Sequence, residues 1–176
     1  MEKLLVFIAG LAIFAWASDT HALEISHLKT GLACVKTTTR SDTDGWICQP
    51  MKDIYIVDQG TCVYDKKEVP CTWTGIEFDY ADAKLGTRLA CVTTSSMPDR
   101  LGNPDSSAKQ AAKSNFYQLN LKGSSGHRFE AQYIVFALHD QKTSEVLEQT
   151  NCAADGKTVI SYTQILHFPS LKTDNG

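Results

Sequence analysis

Beyond residue 30 the chain is a succession of short segments in which apolar and polar positions alternate or run together, cut by clusters of Gly, Pro, Asn, Asp and Ser. That rhythm predicts strands and turns, and no ten-residue window has convincing helical periodicity. Leu32 to Thr39, Trp46 to Cys48, Asp53 to Val57, Thr61 to Tyr64 and Trp73 to Tyr80 are the expected strands of the first half. Ile54 to Val57 is apolar on both faces, so an internal strand is expected there. Leu89 to Thr94, Phe116 to Leu121, Arg128 to His139, Glu145 to Thr150 and Thr158 to Leu166 are the strands of the second half. Arg128 to His139 is the longest of these signals and is expected to be central.

Between Ser95 and Ser114 the pattern fails, with Pro98, Gly102, Asn103-Pro104 and several serines. No strand tolerates that composition, so a long loop is expected, with a helical turn or two at Ala108 to Lys113. Loops of this length in small domains are often functional.

The first residues follow a different rule. A short charged start, Glu2 and Lys3, precedes an apolar run from Leu4 to Ala17, and Thr20 and Ala22 stand where an export peptidase reads small residues. A signal peptide of residues 1–22 is expected. The run is too short for a membrane span, which needs about 20 apolar residues. No membrane span is therefore expected after cleavage.

One stretch is written twice, as Leu32-Ala33-Cys34-Val35 and Leu89-Ala90-Cys91-Val92, and positions 28–42 match positions 85–99 at eight of fifteen places. This internal duplication predicts a mainly β protein of two tandem, disulfide-braced, sandwich-like repeats of about five strands each, packed together. The repeats are expected at 23–80 and 87–168, joined by a linker at 81–86, with a flexible tail at 169–176.

All six cysteines lie in the mature part, and an exported chain with an even count is expected to be oxidised. If each repeat closes on itself, Cys91 pairs with Cys152. The ends of the repeats look alike, with glycine four residues after Cys71 and after Cys152 and a tyrosine closing each strand. That likeness predicts Cys34 with Cys71 and Cys48 with Cys62. The competing pattern joins Cys34 to Cys48 and Cys62 to Cys71.

Export removes Lys3, Glu2 and Asp19, leaving 16 basic against 18 acidic residues and a formal charge of minus two. Nothing in that balance recruits a nucleic acid. No Cys-x-x-Cys pair and no histidine within four residues of a cysteine indicate zinc, and Asp42-Thr43-Asp44-Gly45 is too little for a calcium loop. No metal or other cofactor is expected.

Histidines 127 and 139 with Ser124 and Ser125 are the only ingredients for a nucleophilic triad, and no nucleophile elbow or metalloprotease motif accompanies them. The expected function is therefore a non-catalytic exported protein-binding module, periplasmic or secreted, such as an inhibitor or an accessory factor of an envelope or secretion assembly. A structural subunit of a surface appendage or adhesin, and a small hydrolase using His139, are the alternatives. Trp46 and Trp73 are expected to pack on disulfides. The partner, another protein, is expected on the long loop and the strand after it, at Arg100, Lys109, Lys113 and Tyr117.

Overall fold

The computed structural model describes residues 22–35, 44–57, 59–64, 66–99, 112–135 and 145–168, and every regular element among them is a strand. The first half supplies β1 (Glu24–Val35), β2 (Gly45–Pro50), β3 (Asp53–Tyr55), β4 (Gly60–Tyr64) and β5 (Lys67–Ala81). The second half supplies β6 (Arg88–Asp99), β7 (Ala112–Asn120), β8 (Gly126–Val135), β9 (Glu145–Ala154) and β10 (Lys157–His167). Among the described residues no helix is long and apolar enough to cross a membrane.

Two five-stranded sheets result. The first is organised on β5, whose two edges are both used. β1 and β4 share one edge, since Gly75 lies between Gly31 and Ala131 and Cys71 between Gly60 and Val135, and β8 takes the other. The second sheet has the order β3-β10-β9-β6-β7. Each half of the chain thus forms four strands of one sheet and lends its third strand to the other. β8 pairs antiparallel with β5, and β3 pairs parallel with β10. The halves close a single sandwich rather than two separate ones.

Local chemistry accounts for the joints. β9 and β10 meet at Asp155-Gly156, both with positive φ (49° and 76°), the two-residue turn that matches the twist of antiparallel strands. β5 is buried from Cys71 to Phe78 without interruption, which an alternating strand facing water on one side cannot be. At Gly75 an added Cβ would lie 2.4 Å from the Glu130 carbonyl oxygen, so only glycine lets β8 approach β5 this closely.

Between the sheets lie two apolar clusters. One joins Ile76 and Phe78 of β5 to Leu89, Leu119, Cys152 and Ile160 of the second sheet. The other gathers Ile54, Ile56, Val146, Leu166 and Phe168, with Leu32 and Ile134 packed against it. A third cluster occupies the opposite face of the first sheet, where Trp73 packs with Ala33, Ile47, Cys62, Cys71 and Phe129. β2 folds over this face, and the Glu77 carboxylate accepts the Ile47 N–H at 2.6 Å. Fully burying a side chain of the size of Phe78 stabilises by roughly 1.5–3 kcal/mol.

The bridges are Cys34–Cys48, Cys62–Cys71 and Cys91–Cys152. The last agrees with the expectation from the repeat. The first two correct it, because Cys34–Cys71 and Cys48–Cys62 do not form. β1 follows β5 only as far as Leu32; past the bulge after Leu32 it pairs with β2 alone, and Cys34 is carried beside Cys48 with it. Cys71 in turn lies on the β4–β5 hairpin, across from Gly60 and near Cys62. The resemblance of the repeat ends misled because Cys152 stands at the end of β9, before the turn, whereas Cys71 stands inside the last strand of its half. Three intramolecular bridges match folding in an oxidising compartment.

Other differences are matters of place. Asp53–Tyr55 is an edge strand, with Ile54 and Ile56 buried but Tyr55 and Val57 exposed, and not an internal one. β8 pairs with β5 alone among the described residues and is not central. Both ends of the irregular segment expected from Ser95 to Ser114 are strand, since β6 continues to Asp99 and β7 begins at Ala112, and 100–111 lie outside the described residues. Residues 1–21, which are all but the last residue of the signal peptide expected at 1–22, the tail from 169, and Asp42, Thr43 and His139 lie outside the described residues.

Candidate functional site

The outward face of the second sheet is built from alternate residues of four long strands, and their register sets it out in rows. Phe116, Val92, Asn151 and Ser161 form one row across β7, β6, β9 and β10. Ser114, Thr94, Gln149 and Thr163 form the next, and Leu147 with Ile165 a third. On the other side of the Phe116 row lie Gln118, Ala90 and Ala153.

None of these thirteen side chains is charged, in a protein with 21% charged residues. Two large apolar groups stand out from the face, Phe116 at 75% and Leu147 at 47% exposure. Charge appears only at the ends of the strands. Arg88 stands exposed at one end; Glu145 and Asp53 are exposed at the other. Beside them Tyr55 stacks on His167 with ring centroids 4.7 Å apart, and His167 Nε2 meets Asp53 Oδ1 at 2.9 Å. A flat face depleted in charge, with aromatic and aliphatic groups protruding, has the composition of the centre of a protein–protein interface.

The inward face of the same strands is unexpectedly polar. Glu148, Thr150, Thr93 and Gln164 are buried between the two apolar clusters, and the Thr93 and Thr150 hydroxyls lie 2.7 Å apart. Tyr117 and Tyr162 join this belt; burial pushes the Tyr162 hydroxyl far above its ordinary pKa and that of Tyr117 upward as well. Hydrogen bonding to Thr93 and to Tyr162 opposes the shift at Tyr117 only in part.

On the first sheet, Asp79 of β5 lies between two histidines from the flanking strands. His127 Nδ1 meets its Oδ1 at 2.8 Å, and His27 Nδ1 meets its Oδ2 at 2.9 Å. A bulge in β1 between Ser26 and Lys29, with His27 at φ 50°, aims that ring onto the carboxylate. The hydrogen bond from His127, then that from His27, holds the Asp79 carboxyl below its ordinary pKa. One row along, Glu77 accepts from Lys29 Nζ at 2.9 Å. Burial pushes Glu77 upward, but the Ile47 N–H and Lys29 outweigh it, and its carboxyl too is lowered.

A carboxylate that orients an imidazole is one half of a nucleophilic site. Here both carboxylate oxygens are occupied by imidazole nitrogens, and the nearby Ser124 and Ser125 are exposed in the β7–β8 turn. Among the described residues no three His, Cys, Asp or Glu side chains gather to hold a metal ion. An open depression of about 450 Å³ lies over the β4–β5 hairpin, lined by Gln59, Thr61, Glu68 and Pro70 among others.

Of the residues expected to bind a partner, Lys113 is exposed near the start of β7, and Tyr117, four positions on, is half-buried in the polar belt. Arg100 and Lys109 lie outside the described residues. The exposed neighbour is Phe116. Its orientation was readable, since Tyr117 shares a strand face with Leu119, a core residue. The rest of the face was harder to find, because one pair on β9 reverses the usual pattern: Glu148 points in and Leu147 points out. Trp73 packs beside Cys62 and Cys71 as expected, whereas Trp46, opposite Cys34, is half-exposed.

No protein-family model matches the chain, and no curated protein matches it.

Proposed function

We propose that this protein is an exported, non-catalytic protein-binding module, working in the periplasm or outside the cell as an inhibitor or accessory factor of an envelope or secretion assembly. In this reading residues 1–22 are a cleaved signal peptide, and the two five-strand halves descend from one duplicated unit. The observation that carries it is the uncharged outward face of the second sheet, with Phe116 three-quarters exposed on its edge strand. Burying one such phenylalanine and excluding water from the surrounding Thr, Ser, Asn and Gln positions is how interface hot spots work. Lys113, with Arg100 and Lys109 of the segment leading into β7, would contribute the rim.

The test is capture of a partner from an envelope or secreted fraction under non-reducing conditions. Wild-type protein is expected to retain a discrete partner, and Phe116→Glu and Gln149→Arg, both at exposed strand positions, to lose at least about tenfold of it. A partner retained equally by both variants would remove this face from the proposal. The absence of any partner would remove the function.

A further inference from the structure

We infer that the partner on the outward face of the second sheet is a second copy of the same chain, packed sheet to sheet about a twofold axis. The inference rests on the reading of that face as a protein interface and adds who occupies it.

The first argument is area. Four long strands at about 4.8 Å spacing, each offering about nine residues at roughly 3.4 Å, with the three residues of β3 beside them, present a flat footprint of roughly 640 Å². Stable interfaces bury about 800 Å² per partner, with roughly 600 Å² at the lower limit, so the face is large enough to hold a dimer.

The second argument is charge. A face whose centre carries Asn151, Gln149, Thr94 and Thr163 brings no like charges together when it meets its own copy. Most surfaces of a protein with 37 charged side chains (17 basic and 20 acidic) would. The ends of the face are complementary rather than neutral. Arg88 begins β6 at one edge, while Glu145 begins the neighbouring antiparallel strand β9 at the opposite edge. A twofold axis lying in the interface and running across the strands exchanges those edges, so each Arg88 stands over the other copy's acidic end. β6 and β9 are adjacent, so the lateral offset is one strand spacing, about 4.8 Å, within an arginine's reach. Two such sheets pack about 10 Å apart with their strands rotated by roughly 30°, an arrangement available to any pair of twisted sheets. An isologous contact of this kind closes on itself and stops at two copies.

The experiment is sedimentation velocity of the oxidised full mature chain from about 1 to about 100 μM, the range that brackets a micromolar Kd. A monomer–dimer equilibrium is expected. Gln149→Arg, which places two like charges at the centre, should raise the dimer Kd at least about tenfold, with a thermal midpoint unchanged when both proteins are measured diluted to the monomer. Arg88→Glu should weaken the dimer, and Arg88→Glu combined with Glu145→Arg should restore it to within about threefold of wild type, a rescue that a merely structural role would not give. A wild-type chain that stays monomeric at 100 μM overturns the inference. So does a dimer indifferent to both Gln149→Arg and the charge swap. If the wild type is monomeric yet Gln149→Arg abolishes capture of a different protein, the interface stands and the second copy is wrong.

Discussion

Asp79 illustrates how a single carboxylate is set by residues distant in sequence. Its two hydrogen bonds come from His127 and His27, 48 and 52 positions away. Because the folded carboxyl pKa is lowered, its stabilising contribution is present above the ordinary unfolded value of about 3.9 and is lost as pH falls through the folded value. Asp79→Asn is therefore expected to lower the urea midpoint at pH 6, with the gap from wild type closing as pH falls below about 4. A gap that stays constant down to pH 2 would show that the two histidine contacts do not hold the carboxylate ionised. That Asp79 belongs with two histidines was not legible in the sequence. The pairing depends on β8 lying against β5, and on a bulge that only the sheet register reveals.

At the scale of elements, the three bridges differ in what they close. Cys91–Cys152 spans 61 residues and ties β6 to β9 across directly opposed positions. Cys34–Cys48 and Cys62–Cys71 span 14 and 9 residues within neighbouring strand pairs. Chain entropy then gives the long bridge about 4 kcal/mol and each short one roughly 3 kcal/mol, by restricting the unfolded chain. Replacing Cys91 and Cys152 by alanine is expected to lower unfolding free energy more than replacing Cys34 and Cys48, as measured by urea titration. The reverse order would mean that native-state contacts of the short bridges outweigh loop length. The positions of most strands were legible, because alternation is local. The status of β3 and β8 as edges was not, because edge or centre depends on which strands arrive beside them.

For the whole molecule, the exchange of third strands makes the two halves interdependent. Residues 23–85 lack β8, which covers one edge of β5 from Cys71 to Tyr80, and residues 86–168 lack β3, whose Ile54 sits in the core beside Val146 and Leu166. Expressed separately under oxidising conditions, each half is expected to show no cooperative thermal transition, and mixing the two should restore one. A half that unfolds cooperatively by itself would show that the exchanged strands are not needed for a stable core. The two apolar clusters between the sheets require both sheets at once: Phe78 and Leu89 share one of them from opposite halves of the chain.

The amino-acid sequence alone determined the strand-rich class, the six cysteines held for an oxidising compartment, the duplicated opening strand and the lack of charge suited to nucleic acid. These follow from composition and from periods of two residues, which are properties of neighbours in the chain. Only the tertiary structure decided the partners of Cys34, Cys48, Cys62 and Cys71, the exchange of β3 and β8, and the uncharged face between Phe116 and Ile165. Each of these depends on which strands lie side by side. On β9 the alternation of Val146, Cys152 and Ala154 names the inward side, yet a buried Glu148 and an exposed Leu147 take their places from the strands packed around them rather than from their own chemistry.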